Sequence, residues 1–481
     1  MRLYELLDGI AQTALADAEI TGLTDDSRKV SEGCLFICVK GGSFDGHSVA
    51  EQMLEKGAYA VIAERDLGLG DRQIIVPNSR EAYGRLCAAW FDHPEKKMRF
   101  IGVTGTNGKT TITSVIKRLL TASGKKVGLI GTIQNEIGDR VIHTENTTPF
   151  VFDLMKLYAQ MADEGCDYVV MEVSSFGLVQ HRIGPPHFET AVFTNLTQDH
   201  LDYHGDMENY YQAKRMLFDV CDYAVINTDD EYGRRLFEEI TCEKDSYSCC
   251  GRGDFYADAI KLRADGTSFW LCCGEKSYQL SLLMTGTFNV ANVTAAIAAG
   301  LRAGLTMEQM MDALEGYTGV RGRCEIIPTG KDFTVICDYA HTPDAIENIL
   351  SSVKEYTTGR LMCLFGCGGN RDRTKRPKMA AAAAKYADML IVTSDNPRDE
   401  APGEIIEEIL TGLEGKDIPY VVEEDRSEAI FKGMKLAQPG DVLVLAGKGH
   451  EDYQILAGGV HVHMDEREIV KESLSRLDAE K

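Results

Sequence analysis

A short glycine-rich loop, Gly105-Thr106-Asn107-Gly108-Lys109-Thr110-Thr111, joins an apolar stretch, Phe100-Ile101-Gly102-Val103, to a run whose apolar residues recur every three or four positions. Ile112, Val115, Ile116, Leu119 and Leu120 fall on one face of a helix at that spacing, and such a stripe has to be buried against a sheet. Strand, tight loop and helix in that order make a phosphate cradle. Glycines let backbone N–H groups approach the anion, the helix N-terminus adds partial positive charge, Lys109 reaches the terminal phosphates and Thr110 can hold Mg²⁺. The general G-x-x-x-x-G-K-[ST] pattern would start at Val103, so this loop is a shorter variant beginning at Gly105. The ligand expected from it is a nucleoside triphosphate.

The loop sits in a chain of 481 residues, which on the usual size prior makes about three domains, each able to bury a core. A first boundary is expected at His93-Pro94-Glu95-Lys96-Lys97, directly before the phosphate loop's strand, and a second near Gly319-Val320-Arg321-Gly322-Arg323. The expected units are therefore 1–97, 98–322 and 323–481. Apolar strands alternate with helical patterns at 126–133, 168–173, 190–195 and 223–227, and the alternation restarts at 334–338, 361–366, 389–394 and 441–446. This predicts an α/β fold with mostly parallel sheets. Each of the last four strands runs into a polar loop, and open α/β sheets bind ligands outside the carboxyl ends of their strands, so chemistry is expected in those four loops.

Lys+Arg 51 against Asp+Glu 74 gives a net charge of −23, which argues against nucleic acid or an anionic membrane as a partner. Anionic ligands then have to be met by local basic clusters. The 14 cysteines include no CxxC and no Cys/His zinc spacing, and the chain opens without a secretory segment; reduced thiols of a cytoplasmic protein are expected. No apolar run approaches the roughly 18 residues of a membrane span.

Two further places carry chemistry. Glu172 ends the apolar run Tyr168-Val169-Val170-Met171, where a carboxylate can face the phosphate loop and hold Mg²⁺, a cation that takes one or two carboxylates together with phosphate oxygens. His200 lies in Asp199-His200-Leu201-Asp202-Tyr203-His204, after the next apolar strand, where so many Asp and His residues are hard to justify as packing.

In this order along the chain, Asp26-Ser27-Arg28, Asp45-Gly46-His47, the phosphate loop, Asn146-Thr147-Thr148-Pro149, Glu172-Val173-Ser174-Ser175, Gln180-His181-Arg182, the His200 stretch and Ala213-Lys214 resemble the Mur ligase family. The match continues through Phe288-Asn289-Val290-Ala291-Asn292, Gly322-Arg323, Asp338-Tyr339-Ala340-His341-Thr342-Pro343, the stretch 368–377, Asp395-Asn396-Pro397-Arg398 and Gly447-Lys448-Gly449-His450-Glu451. The loop alone would be weak; the ordered set, over essentially the whole chain, is specific.

The resemblance implies a UDP-substrate domain, a central P-loop-type ATPase domain and a Rossmann-like domain for the incoming amino acid. It implies amide formation from ATP through an acyl phosphate. The donor would be UDP-N-acetylmuramoyl-L-alanyl-D-glutamate, the acceptor meso-2,6-diaminopimelate and the enzyme a monomer. Residue by residue, it assigns phosphate and a first Mg²⁺ to Lys109 and Thr110, with Glu172 and His200 shaping the metal sites, and matches Lys214 to the family's carbamylated lysine beside a second Mg²⁺. Besides residues 105–111 (Gly105, Thr106, Asn107, Gly108, Lys109, Thr110 and Thr111), Asn292, Arg323, Asp338 and His341 match nucleotide contacts. Ser27, His47, Asn146, Thr147, Thr148, Ser174, Gln180 and Arg182 match contacts to the UDP-muramoyl dipeptide. Arg371, Asp395, Asn396, Pro397, Arg398, Gly447 and Glu451 match the amino-acid pocket.

Arg398 argues for diaminopimelate over lysine, because a guanidinium fork suits the distal carboxylate that lysine lacks. One position departs from the family: the residue after the serine pair is usually His and here is Phe176. Phe176 is the one feature favouring a nucleotide-binding paralogue with impaired catalysis.

Overall fold

The computed structural model describes residues 1–479 apart from 16, 43, 145 and 264, and every side chain among them but that of Asp202. Its strands form three main sheets, one after another along the chain. Leu23–Thr24, Leu35–Ile37, Ala60–Ala63 and Gln73–Ile75 make a four-stranded parallel sheet. An eleven-stranded sheet follows, its middle parallel and both flanks antiparallel. The last is a six-stranded sheet in which only Glu325–Ile327 runs antiparallel to its neighbour.

The centre of the large sheet shows why the phosphate loop lies where it does. Arg99–Thr104 is flanked by Tyr168–Glu172 on one side and Phe188–Phe193 on the other, so the loops that follow all three strands emerge together. Tyr168–Glu172 is buried throughout, as a strand covered on both faces must be. Helix Lys109–Ala122 lays Ile112, Val115, Ile116, Leu119 and Leu120 in the core shared with Ile101, Val103 and Val170; each such side chain stabilises the fold by about 1.5–3 kcal/mol. Helix Thr287–Arg302 packs in the same layer, and its small buried residues Ala295, Ala296, Ala298, Ala299 and Gly300 permit close approach.

In the six-stranded sheet Val442–Ala446 lies between Thr334–Asp338 and Leu361–Phe365, which creates a topological switch point. Thr334–Asp338 has the expected bounds. The strand expected at 126–133 stops at Ile130, because Thr132 turns its backbone N–H (2.9 Å) and its hydroxyl (2.8 Å) to the Glu172 carboxylate. The one expected at 389–394 stops at Val392, and 190–195 becomes Phe188–Phe193. Alternation did not announce the antiparallel meander of Phe255–Arg263, Gly266–Cys273 and Lys276–Leu282, or the hairpin Tyr453–Ile455 with His461–His463. All 14 cysteines are free, and among the described residues no helix is long and apolar enough to cross a membrane.

Candidate active site

The phosphate loop is held from the side by the strand after it in the sheet. Asn107 N–H donates to Asn195 Oδ1 (3.0 Å), Thr106 N–H to the Asn195 carbonyl (2.8 Å), and the Thr194 hydroxyl to the Asn107 carbonyl (2.6 Å). Two glycines make this possible: a Cβ on Gly105 would stand 1.8 Å from Thr194 Oγ1, and one on Gly108 2.5 Å from Asn292 Oδ1. The helix behind the loop has no side-chain cap, so its first N–H groups are available to an anion. Lys109 Nζ lies back on the Gly105 (2.9 Å) and Thr106 (2.8 Å) carbonyls. Burial pushes its ammonium below the ordinary range against the pull of the Glu172 and Asp199 carboxylates.

From the linker after the central sheet, Arg323 reaches over: its guanidinium stands 4.7 Å above the Tyr339 ring, NH2 is 3.5 Å from Thr110 Oγ1, and Nε is buried without a partner. A buried, unpaired guanidinium nitrogen beside uncapped helix N–H groups suits a polyphosphate. Asp338 is spent on its own loop, accepting from Cys324 N–H (2.7 Å) and Ala340 N–H (2.8 Å), and burial raises its pKa against the Arg323 charge. His341 sits with Nδ1 2.8 Å from the Tyr339 carbonyl, an arrangement that makes Nδ1 the donor; burial pushes its pKa down and keeps the ring neutral.

Glu172 and Lys214 are both buried beside this loop. Lys214 Nζ donates to the Gly105 carbonyl at 2.7 Å and lies 4.6 Å from the Tyr210 ring. Burial, reinforced by the Lys109 charge, pushes its pKa well below that of a free lysine. Asp199, which the sequence marked only as part of a polar stretch, acts electrostatically on Lys109, Lys214 and His341 alike. Among the described residues no three His, Cys, Asp or Glu side chains gather as a metal site. The oxygen donors Thr110 and Glu172 nonetheless suit Mg²⁺, which needs few protein ligands when phosphate supplies the rest.

Around Glu172 the residues expected to meet the UDP-muramoyl dipeptide converge. Thr147 and Thr132 hydroxyls are 3.0 Å apart, Thr148 donates to the Glu172 carbonyl (3.0 Å), and Ser174 caps the short helix Ser175–Val179 through Gly177 N–H. Arg182 donates to Gln180 Oε1 and to the Thr148 carbonyl, with Phe150 beneath its guanidinium at 4.1 Å. Asn146 takes a bond from the Thr144 hydroxyl on its carbonyl. Ser27 and His47 belong to the N-terminal unit. The His47 ring is spent internally, with Nδ1 on Asp45 Oδ1 (2.7 Å) and Nε2 accepting from Glu64 N–H (3.1 Å), so its side chain braces its loop. Phe176 joins an aromatic cluster, edge-on to His200 at 5.0 Å and 4.3 Å from Tyr203, next to a His204–Ser175 hydrogen bond of 2.9 Å.

All four polar loops of the C-terminal sheet line one cavity of about 980 Å³, whose opposite wall carries Asp199 and His200. Arg371, Asp395, Asn396, Arg398, Gly447 and Glu451 are on it; Pro397 turns the loop beside them. Arg398 has a left-handed φ of 52° and gives NH1 to the Gly369 carbonyl (2.9 Å), so one nitrogen anchors the loop. Behind the wall, fully buried Arg426 pairs with Glu466 (2.7 Å) and donates to the Ser394 and Ala446 carbonyls, tying two of the loops together. Arg376, equally buried, joins Glu400, Glu408 and the Gly368 carbonyl. Sequence reading gave no role to either arginine, since their partners lie far along the chain.

Three family models match in succession: Mur ligase family, catalytic domain at residues 19–90, Mur ligase middle domain at 103–300, and Mur ligase, glutamate ligase domain at 322–449. The UDP-N-acetylmuramoyl-L-alanyl-D-glutamate–2,6-diaminopimelate ligase 1 of Clostridium acetobutylicum is 44% identical over 478 residues, 98% of each chain. The ligase of the same name from Caldanaerobacter subterraneus is 45% identical over 483 residues, 99% of this chain and 100% of its own. A solved structure of a UDP-N-acetylmuramoyl-L-alanyl-D-glutamate–2,6-diaminopimelate ligase superposes with a TM-score of 0.74 at 32% identity, covering 99% of both chains. MurF ligase from Thermotoga maritima, solved in complex with ADP, shares the fold at a TM-score of 0.59 and 20% identity, over 95% of this chain and 98% of that one. With three domain matches in order and such relatives over nearly its full length, the chain belongs to the Mur ligase family.

Proposed function

We propose that this protein is an ATP-dependent ligase that joins meso-2,6-diaminopimelate to UDP-N-acetylmuramoyl-L-alanyl-D-glutamate, releasing ADP and phosphate, in the synthesis of a peptidoglycan precursor. What carries the reading is the juxtaposition across one cavity: the Asp199-His200 stretch beside the phosphate loop on one wall, and Arg371, Asn396, Arg398 and Glu451 on the other. The full-length relatives named for this reaction support it. We take 1–97 as the unit for the UDP substrate, 98–322 for ATP and 323–481 for the amino acid; one main sheet falls within each range. The enzyme is taken as a cytoplasmic monomer.

A carboxylate is a poor acyl donor, so the reaction needs a leaving group. The D-glutamyl carboxylate attacks the γ-phosphorus of ATP, the amine of the acceptor attacks the resulting acyl carbon, and phosphate departs with one former carboxylate oxygen. Lys109 and Arg323 place positive charge where the donor's carboxylate and the phosphates would otherwise repel. Thr110, Glu172, His200 and Lys214 would hold Mg²⁺, whose charge screens the phosphates. Lys214 is suited to carbamylation: burial lowers its pKa and so favours the neutral amine, the form that adds CO₂ with loss of a proton, and the carbamate then offers oxygen ligands.

In the test, purified protein receives ATP, Mg²⁺ and the UDP-muramoyl dipeptide, with diaminopimelate, lysine or ornithine in turn. ADP release that depends on donor and acceptor together, and is fastest with diaminopimelate, is expected. Release without the donor, or a preference for lysine, contradicts the reading.

A further inference from the structure

We infer that Lys448 is the positioning residue of the acceptor pocket, fixing the Asn396 amide and the Glu451 carboxylate in the single arrangement that meets a diamino acid. The inference rests on the acceptor reading given above. Lys448 has no exposed side-chain surface, yet its ammonium sits among four oxygens: Asn396 Oδ1, the Tyr453 carbonyl at 2.8 Å, Glu451 Oε2 at 3.1 Å and Asp395 Oδ1 at 3.3 Å. An ammonium has three protons, so the protein already saturates it and none is left for a ligand. Lys448 therefore acts through the groups it holds.

What it holds is an orientation. Asn396 Oδ1 accepts from Lys448 and from Ile455 N–H (2.9 Å), so the amide oxygen must face inward and Nδ2 must face Glu451 Oε2, 3.1 Å away. With Oε2 taken by both Lys448 and Asn396, Oε1 is the oxygen left to meet an ammonium from the cavity. Lys448 also separates two carboxylates: burial alone would raise the Asp395 pKa, but the Lys448 and Arg426 charges hold it below the usual range. Without that ammonium, Asp395 and Glu451, both mostly buried, would be left as neighbouring like charges, and the Asn396 amide would be free to turn over. The hairpin 453–463 contributes the Tyr453 carbonyl and Ile455 N–H, so it closes the same cage.

Lys448→Gln keeps a donor for Asn396 without the charge, and Lys448→Met keeps only the length. Steady-state kinetics and calorimetric binding of diaminopimelate to the full chain, with the melting temperature of each variant, decide the matter. For Lys448→Gln the KM for diaminopimelate is expected to rise about tenfold or more, with KM for ATP within about twofold of native and kcat at saturating acceptor little changed. Lys448→Met should lose more, through the same parameter. A Lys448→Gln protein that melts like native and keeps native acceptor affinity overturns the inference, as does an equal worsening of acceptor KM, ATP KM and kcat, which marks general damage to packing. If native protein itself binds no diaminopimelate, the acceptor reading falls and takes this one with it; native binding with unaltered variants removes the positioning role alone.

Discussion

Arg398 and Lys214 illustrate how much a single side chain is asked to do. Arg398 spends NH1 on the Gly369 carbonyl, which leaves the rest of its fork for a ligand carboxylate. Losing one hydrogen bond to a charged group costs about 1.5–3 kcal/mol, so Arg398→Ala should lower kcat/KM for diaminopimelate about tenfold to a hundredfold and shrink the preference over lysine by the same factor. A preference that survives the substitution would assign Arg398 to loop anchoring alone. Lys214 makes one strong contact, to the Gly105 carbonyl, and otherwise faces an aromatic ring. Lys214→Ala is expected to abolish turnover and to regain part of it with added formate or acetate, whose carboxylate replaces the carbamate; full activity in the unsupplemented variant would show that no carbamate is needed.

The loop between strand and helix is the element on which the ATP reaction turns, and its glycines set the tolerance. Gly105 has a φ of 145° and no room for a Cβ against Thr194, whereas Gly124, at the end of the same helix, has open space around it. Gly105→Ala should reduce ATP consumption by about two orders of magnitude with far-UV circular dichroism unchanged, while Gly124→Ala should cost only its backbone strain, about 1 kcal/mol of stability, and leave activity intact. Equal activities in the two variants would contradict the cradle geometry. Elements of this kind were legible because period and punctuation coincide: the stripe from Ile112 to Leu120 is a helix on a sheet in any context. The edges were less legible. The strand at Val127–Ile130 ends where Glu172, 40 residues on, takes the Thr132 N–H, and no local pattern carries that contact. The meander of 255–282 was missed because its first strand carries Asp258, Lys261 and Arg263 and bulges between Asp258 and Lys261, which breaks the alternation. The sequence offered no role for Lys448, Arg426 or Arg376: the two arginines find Glu466, Glu400 and Glu408 only through the fold, and Lys448, although Glu451 is three residues away, gains Asn396 and Asp395 from another loop of the sheet.

At the scale of the whole molecule, the linker is built into the C-terminal unit. Gly322 accepts from Tyr339 N–H, and a Cβ there would stand 2.1 Å from the backbone of Gly449 and His450. His450 lies at this junction. Burial, with the guanidiniums of Arg323, Arg321 and Arg467 around it, pushes its pKa down to about 3. An unfolded histidine titrates near 6.5, so between roughly pH 6.5 and 3 the unfolded chain binds the extra proton, and stability present above that window is lost as pH falls through it. His450→Gln should flatten the stability curve over that range relative to native protein; parallel curves would show that the ring titrates normally. The larger claim is that the two walls of the cavity work on one reaction, a carboxylate activated by ATP on one side and taken by an amine on the other. Oxygen-18 in the D-glutamyl carboxylate of the UDP-muramoyl dipeptide tests it directly, by mass spectrometry of the phosphate released during turnover with diaminopimelate. One labelled oxygen in each phosphate, in step with amide formed, is the expected result; unlabelled phosphate would mean that ATP is hydrolysed by water and would contradict the account.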